Sequence, residues 1–307
     1  MKKFDFSIAR DGFYGCYYPN SRSTDRAMIL MIGDSPDDML AKAAVRWVHR
    51  HGLSAVAMSP AQKDYGHHNY PLERIGRAVS WLKRLGFRKI GICGASTTGM
   101  LSLVAASYYP DITLTLALTP CDFVMEGFYR DGKDGAEERP GNNESSLSWE
   151  GRPLPYLPYA YRHPEYWQKI QEESKRKGEM IACRDMFDES ERLHPLQEEE
   201  LIKVERIRGR IVLIGAQDDA LWDTCRYIDR MTERLERLPH DSTYRVLKYE
   251  HATHFVFPQD MLDGIIPFGS SALIGLCFKD AKKYPKECLE ARRDIAAKLT
   301  EELNAWK

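Results

Sequence analysis

The stretch Arg88-Lys89-Ile90-Gly91-Ile92-Cys93-Gly94-Ala95-Ser96-Thr97-Thr98-Gly99-Met100 constrains the fold more than any other in the chain. An apolar run ends at a Gly-x-Ser step and passes without a linker into the helical pattern Met100-Leu101-Ser102-Leu103-Val104-Ala105-Ala106-Ser107. A buried strand that turns directly into a helix brings backbone against backbone, and Gly94 and Ala95 are small enough for that turn. A serine there stands with its hydroxyl above the sheet and a helix N-terminus beneath it, the arrangement called a nucleophile elbow. The usual spacing is G-x-S-x-G. Here Thr98 holds the last position and the glycine falls one later, at Gly99.

The surroundings alternate strand and helix. Ala27-Met28-Ile29-Leu30-Met31-Ile32-Gly33 and Leu53-Ser54-Ala55-Val56-Ala57-Met58 are continuous apolar runs, the pattern of strands buried on both faces. Between them Asp37 and Asp38 favour a helix start, and the helix runs through Leu40, Ala44, Trp47 and Val48 to Gly52. Leu72, Ile75, Val79 and Leu82 step by three and four, an amphipathic helix closed at Gly86. Further strands are predicted at Ile112–Leu118, Arg210–Gly215 and Tyr244–Tyr249. Helices are predicted with Ile228, Met231, Leu235 and Leu238 on one face, capped by Asp223, and from Pro285 onward with Ile295, Leu299 and Leu303 in one stripe. The segment Gly12–Tyr18 reads as a short antiparallel edge strand. Such alternation implies an α/β fold, a mostly parallel sheet with helices on both faces.

The alternation breaks between about 122 and 204. That stretch holds Asp131-Gly132-Lys133-Asp134-Gly135 and the aromatics Trp149, Tyr156, Tyr159, Tyr161, Tyr166 and Trp167. A structureless loop of this length is improbable in a compact domain, so a partly helical cap inserted after a core strand is expected. The whole chain, 1–307, is then one domain with a cap insertion at 122–204.

Bulk properties exclude several classes. A net charge of −1 with interspersed charges carries no footprint for nucleic acid. No apolar run approaches the roughly 20 residues of a membrane span, and the start lacks a secretory signal, so no membrane partner and a cytoplasmic setting are expected. Seven scattered cysteines without a CxxC pair suit a reducing compartment. His67-His68 and the His251/His254 pair form no zinc motif, so neither metal nor cofactor is expected. A homodimer is left open.

A serine hydroxyl needs a base, an acid to orient that base, and donors for the oxyanion. On a parallel sheet these groups belong in loops beyond the strands' carboxyl ends, in chain order serine, acid, histidine. After Ile214-Gly215 comes Ala216-Gln217-Asp218-Asp219-Ala220-Leu221-Trp222, and after Tyr249 comes Glu250-His251-Ala252-Thr253-His254-Phe255. Asp219 is preferred as the acid because it lies deeper in its loop, with Asp218 bracing that loop by turn hydrogen bonds. His254 is preferred over His251 as the base because Ala252 and Thr253 leave room for the imidazole to approach Ser96. The expected oxyanion donors are the Thr97 amide and one from Gly33-Asp34-Ser35-Pro36, with Asp34 ahead of Ser35.

These loops, the helix opening Pro71-Leu72-Glu73, the acid loop Gln217–Trp222 and the segment Trp149-Glu150-Gly151-Arg152-Pro153-Leu154-Pro155-Tyr156 resemble the acyl-CoA thioester hydrolase and bile acid-CoA:amino acid N-acyltransferase C-terminal domain family. That family lies among the dienelactone hydrolase-like members of the α/β-hydrolase superfamily. The resemblance implies an α/β-hydrolase fold and gives Ser96, Asp219 and His254 the nucleophile, acid and base roles, the acid being the aspartate three before the tryptophan. Thr98 departs from the family's closing glycine. The N-terminus also looks too short for the β-sandwich domain of the animal members. The expected partner is a small-molecule acyl ester or thioester, cleaved through an acyl-enzyme. Thioesterase and carboxylesterase share this mechanism, and Lys175-Arg176-Lys177 reads as a solvated helix face ahead of a basic patch for nucleotide phosphates. A non-catalytic binding protein that keeps the fold is the competing reading.

Overall fold

The computed structural model describes residues 2–23, 25–60, 68–127, 144–162 and 165–306. Its main sheet has eight strands: β1 (Phe4–Phe6), β2 (Gly15–Tyr18), β3 (Arg26–Met31), β4 (Ser54–Met58), β5 (Lys89–Ala95), β6 (Ile112–Leu118), β7 (Arg210–Ala216) and β8 (Thr243–Tyr249). Their spatial order is β1-β2-β4-β3-β5-β6-β7-β8. The pairs β1/β2 and β2/β4 are antiparallel and every other pair is parallel. The order reverses around β3 and β4, so loops at the carboxyl ends of β3 and β5 face one another beside the switch point.

The continuous apolar runs are strands because both faces are covered. Ile29, Val56 and Ile92 point into one core with Ile75, Val79 and Leu82 of α2 (Glu73–Arg84), Met100 and Leu103 of α3 (Thr97–Tyr108), and Ile228 and Leu235 of α6 (Thr224–Arg237). Met28, Leu30, Leu116 and Ile214 point into the other, with Val45 and Trp47 of α1 (Met39–Arg50) and Ile295, Leu299 and Leu303 of α7 (Pro285–Ala305). A strand with no polar face can exist only in this double-layered arrangement. The helix caps follow the sequence: Asp38 accepts from the Ala41 amide at 2.7 Å and Asp223 from the Arg226 amide at 3.2 Å.

One expectation is corrected. Gly15–Tyr18 is a strand but not the edge, because Phe4–Phe6 pairs outside it. Between β6 and β7 the chain leaves the sheet and forms α4 (Glu165–Lys177) and α5 (Arg184–Leu193). The same stretch carries two 3-10 turns, Glu198–Glu200 and Val204–Arg206. Its strands Leu147–Trp149 and Arg152–Pro153 join Tyr70–Pro71, just ahead of α2, in a second small sheet. The Asp131–Gly135 part of the expected cap lies outside the described residues. Short helices at Gln259–Asp263, Ser270–Cys277 and Lys279–Lys283 precede α7. No helix among the described residues is long and apolar enough to cross a membrane.

Candidate active site

Ser96 sits between β5 and α3 with φ 62° and ψ −130°, a conformation a residue with a side chain holds only under strain. Such strain costs on the order of 1–3 kcal/mol and persists where the surrounding structure dictates it. Its amide donates to Leu118 O at 2.8 Å, and its carbonyl accepts from the Gly99 and Met100 amides. The small residues explain how the turn closes. A Cβ on Gly94 would stand 2.0 Å from Thr98 O, and one on Gly99 would stand 2.8 Å from Leu118 O. Gly99 thus makes the close helix-to-strand approach. Thr98 is not a defect in the elbow: its Oγ1 lies 2.5 Å from Met31 O and 2.8 Å from Ala95 O, and accepts from the Ala95 amide at 3.0 Å. The hydroxyl ties the elbow to the end of β3. Thr98→Val should therefore lower stability by about 1–3 kcal/mol, the cost of leaving buried partners unpaired, measured as a fall in the urea midpoint at unchanged m-value.

The candidate acid and base lie in the loops after β7 and β8. Asp219 is 1% exposed, and its carboxylate accepts from the Leu221 amide at 2.9 Å and from the Thr224 hydroxyl. His254 Nδ1 lies 3.0 Å from Oδ1 and 2.8 Å from Oδ2 of Asp219. Facing a carboxylate that can only accept, Nδ1 carries the proton, which leaves Nε2 as a proton acceptor. Nε2 is buried without a hydrogen-bond partner among the described residues, so no bond to Ser96 is formed. Both residues nevertheless line one cavity of about 290 Å³ with Gly33, Asp34, Thr97 and Thr119. A hydrogen bond missing in a ligand-free site does not exclude a base–nucleophile pair, since such bonds often form only around bound substrate. Trp222 packs edge-on against the imidazole, with centroids 4.8 Å apart, and is fixed by its indole N–H donating to Thr119 O at 3.2 Å.

Asp218 and His251 are placed elsewhere. Asp218 Oδ1 accepts from the Ala252 and Thr253 amides at 3.1 and 2.7 Å, so it binds the acid loop to the histidine loop. Burial pushes its carboxyl above the usual range, and the two amides oppose that shift. His251 stacks on Tyr284 at 3.7 Å. Cysteines near the elbow are not rival nucleophiles. Burial drives the Cys93 thiol up to about 12 and the Cys183 thiol well above its ordinary value, so neither offers a thiolate.

One expectation fails on geometry. The Asp34 amide donates to Asp38 Oδ2 at 2.7 Å, and the Ser35 amide to the same oxygen at 3.0 Å. The α1 cap carboxylate thus consumes both donors, and the Asp34 assignment is corrected. Within Lys175-Arg176-Lys177, Arg176 pairs with Asp185, and Lys177 with Glu173 and Asp185. Asp185 belongs to α5, which the linear sequence does not place beside the run.

A mostly parallel eight-stranded sheet in this order, carrying Ser, Asp and His loops at one rim, defines an α/β hydrolase. The chain belongs to the BAAT / acyl-CoA thioester hydrolase C-terminal family, whose sequence model matches residues 71–259, a span that includes Ser96, Asp219 and His254. Among solved structures it is similar to an esterase from Pyrococcus furiosus (13% identity, TM-score 0.48, 92% of this chain and 89% of that one). It is likewise similar to Est1E from Butyrivibrio proteoclasticus (14% identity, TM-score 0.43, 83% and 90%). A third likeness is to a putative dienelactone hydrolase from Klebsiella pneumoniae (10% identity, TM-score 0.46, 88% and 97%). No curated protein matches.

Proposed function

We propose that this chain is a serine hydrolase that cleaves an ester or thioester through an acyl-enzyme. The observation that carries the reading is a strained serine sharing a cavity with an imidazole whose other nitrogen is held by a buried carboxylate. Ser96 Oγ attacks the acyl carbon while its proton passes to His254 Nε2. The carbon–oxygen or carbon–sulfur bond then breaks, and the imidazolium returns the proton to the leaving alcohol or thiol. Water, deprotonated by the same nitrogen, releases the acid and restores Ser96. Asp219 keeps the imidazole in the required tautomer and stabilises its charged form. The Thr97 amide, at the open first turn of α3, is one oxyanion donor. With Asp34 and Ser35 committed to Asp38, we assign the second to Gly33, which lines the cavity.

Acids engage Arg176 and Lys177, which weakens the basic run as an argument for a nucleotide-bearing thiol over a simple alcohol. The reading therefore stands at the level of the acyl transfer itself. A fluorophosphonate probe is expected to label the folded protein stoichiometrically, with the adduct mapped to Ser96 and absent from Ser96→Ala. Folded protein that resists the probe would overturn the assignment and favour a binding role.

A further inference from the structure

Ser96 and Thr97 line two cavities at once, and these differ in chemistry. The one shared with His254 mixes polar groups from Asp34, Ser59, Thr98 and Thr119 with apolar ones such as Leu40, Phe255 and Phe257. The other, about 160 Å³, is walled by Tyr159, Tyr166, Ile170, Met186, Phe187 and Trp222, and no charged side chain lines it among the described residues. We propose that the second cavity is the acyl site and that it takes a compact acyl group of roughly benzene size, not an extended fatty chain. The leaving group then occupies the cavity of mixed lining shared with His254. The chemistry rests on the serine-hydrolase reading; the size limit does not.

The volume sets the limit. A dry apolar cavity of roughly 150 Å³ holds benzene, so this one accommodates one six-membered ring, with the methylene that joins it to the carbonyl lying at the Ser96 mouth. Three of the walls, Tyr159, Phe187 and Trp222, are braced against enlargement. Phe187 stands edge-on to Tyr159 (5.7 Å, 90°) and to Trp222 (5.4 Å, 81°). The Tyr159 hydroxyl donates to Glu126 O at 2.9 Å and its amide donates to the Glu126 carboxylate at 2.7 Å. Trp222 is pinned by its bond to Thr119. A longer chain would have to break this packing, which close-packed interiors do not yield without cost, or leave its far end outside the cavity, where the added carbons gain no apolar burial. Flat aromatic walls meeting edge-on also suit a planar acyl group, whose ring faces and edges find matching partners.

Calorimetric titration of Ser96→Ala with phenylacetate and with decanoate separates the size limit from catalysis. Decanoate offers more apolar surface, so a site rewarding area alone would prefer it. The proposal expects phenylacetate to bind at least about tenfold more tightly, the scale on which pockets discriminate single methylenes. Adding Phe187→Ala, or Met186→Ala should the former not fold, is expected to close or invert that ratio. In the unsubstituted protein the p-nitrophenyl esters of the two acids should show the same order in kcat/KM. Decanoate binding as tightly as phenylacetate, or neither acid binding, overturns the proposal. Retained phenylacetate preference with no ester turnover would instead sink the hydrolase reading and leave the cavity assignment standing.

Discussion

Ser96→Ala is expected to lower kcat/KM for every ester or thioester substrate by on the order of 10⁴- to 10⁶-fold, the range seen when a triad nucleophile is removed. The substitution deletes one oxygen from a residue whose backbone is fixed by its neighbours, so the fold survives. The Ser96 amide still donates to Leu118 O, and Gly99 and Met100 still donate to its carbonyl. Alanine keeps the φ strain, because the strain resides in the Cβ and not in the hydroxyl. Unchanged thermal midpoint with lost turnover is the expected pair, read by calorimetry and by initial rates on one preparation. A drop below about tenfold would remove Ser96 from the chemistry.

Asp219→Asn should cost about 10³- to 10⁴-fold in kcat, because an amide in place of the carboxylate can present its N–H to Nδ1 and favour the wrong imidazole tautomer. The neighbouring Asp218→Asn separates orientation from scaffolding. Asp218 receives two backbone amides of the histidine loop and does not touch the imidazole of His254. Its replacement weakens two charge-assisted bonds and should be felt mainly in stability, by about 1–3 kcal/mol, with kcat lowered far less than by Asp219→Asn. Parallel measurement of rate and urea midpoint for the two variants checks the assignment. Equal rate losses would contradict it.

The strands of the parallel core were legible because double-sided burial leaves an apolar run with nothing polar to confuse its period, as in Ala27–Ile32 and Ile211–Ile214. Helix starts were legible where an aspartate caps them, at Asp38 and Asp223. The same Asp38 shows where sequence reasoning stops. Its carboxylate folds back over the preceding loop and takes the Asp34 and Ser35 amides, a three-dimensional choice that a residue string does not display. The small second sheet escaped notice because it joins Tyr70–Pro71 to Leu147–Ser148, far apart in the chain and too short for any period to show. The helix Ser270–Cys277 was missed for the opposite reason. Ala272-Leu273-Ile274-Gly275-Leu276 is apolar on every side, so no stripe distinguishes helix from strand.

The candidate site was legible in part, and for a reason that chain order explains. Ser96, Asp219 and His254 each follow a strong strand signal, so topology alone carries their loops to one rim. The choice of Asp219 over Asp218 needed only the loop's depth, and the contacts of the two carboxylates differ accordingly. The apolar cavity was less accessible to inspection. Its aromatics were visible as a cluster, but whether Tyr159, Tyr166 and Phe187 fill their own core or leave a void beside Ser96 depends on how α4 and α5 lean over the elbow. Thr98 needed the coordinates too, since only they show its hydroxyl bridging the elbow to Met31.

Rapid-quench intact-mass spectrometry during turnover of p-nitrophenyl phenylacetate, followed by peptide mapping, tests the central claim most directly. The account predicts one added phenylacetyl group per chain, carried on Ser96, appearing with a burst of p-nitrophenol and decaying as acid is released. Steady turnover with no acyl adduct, or an adduct mapped to Cys183 or any residue other than Ser96, would contradict it.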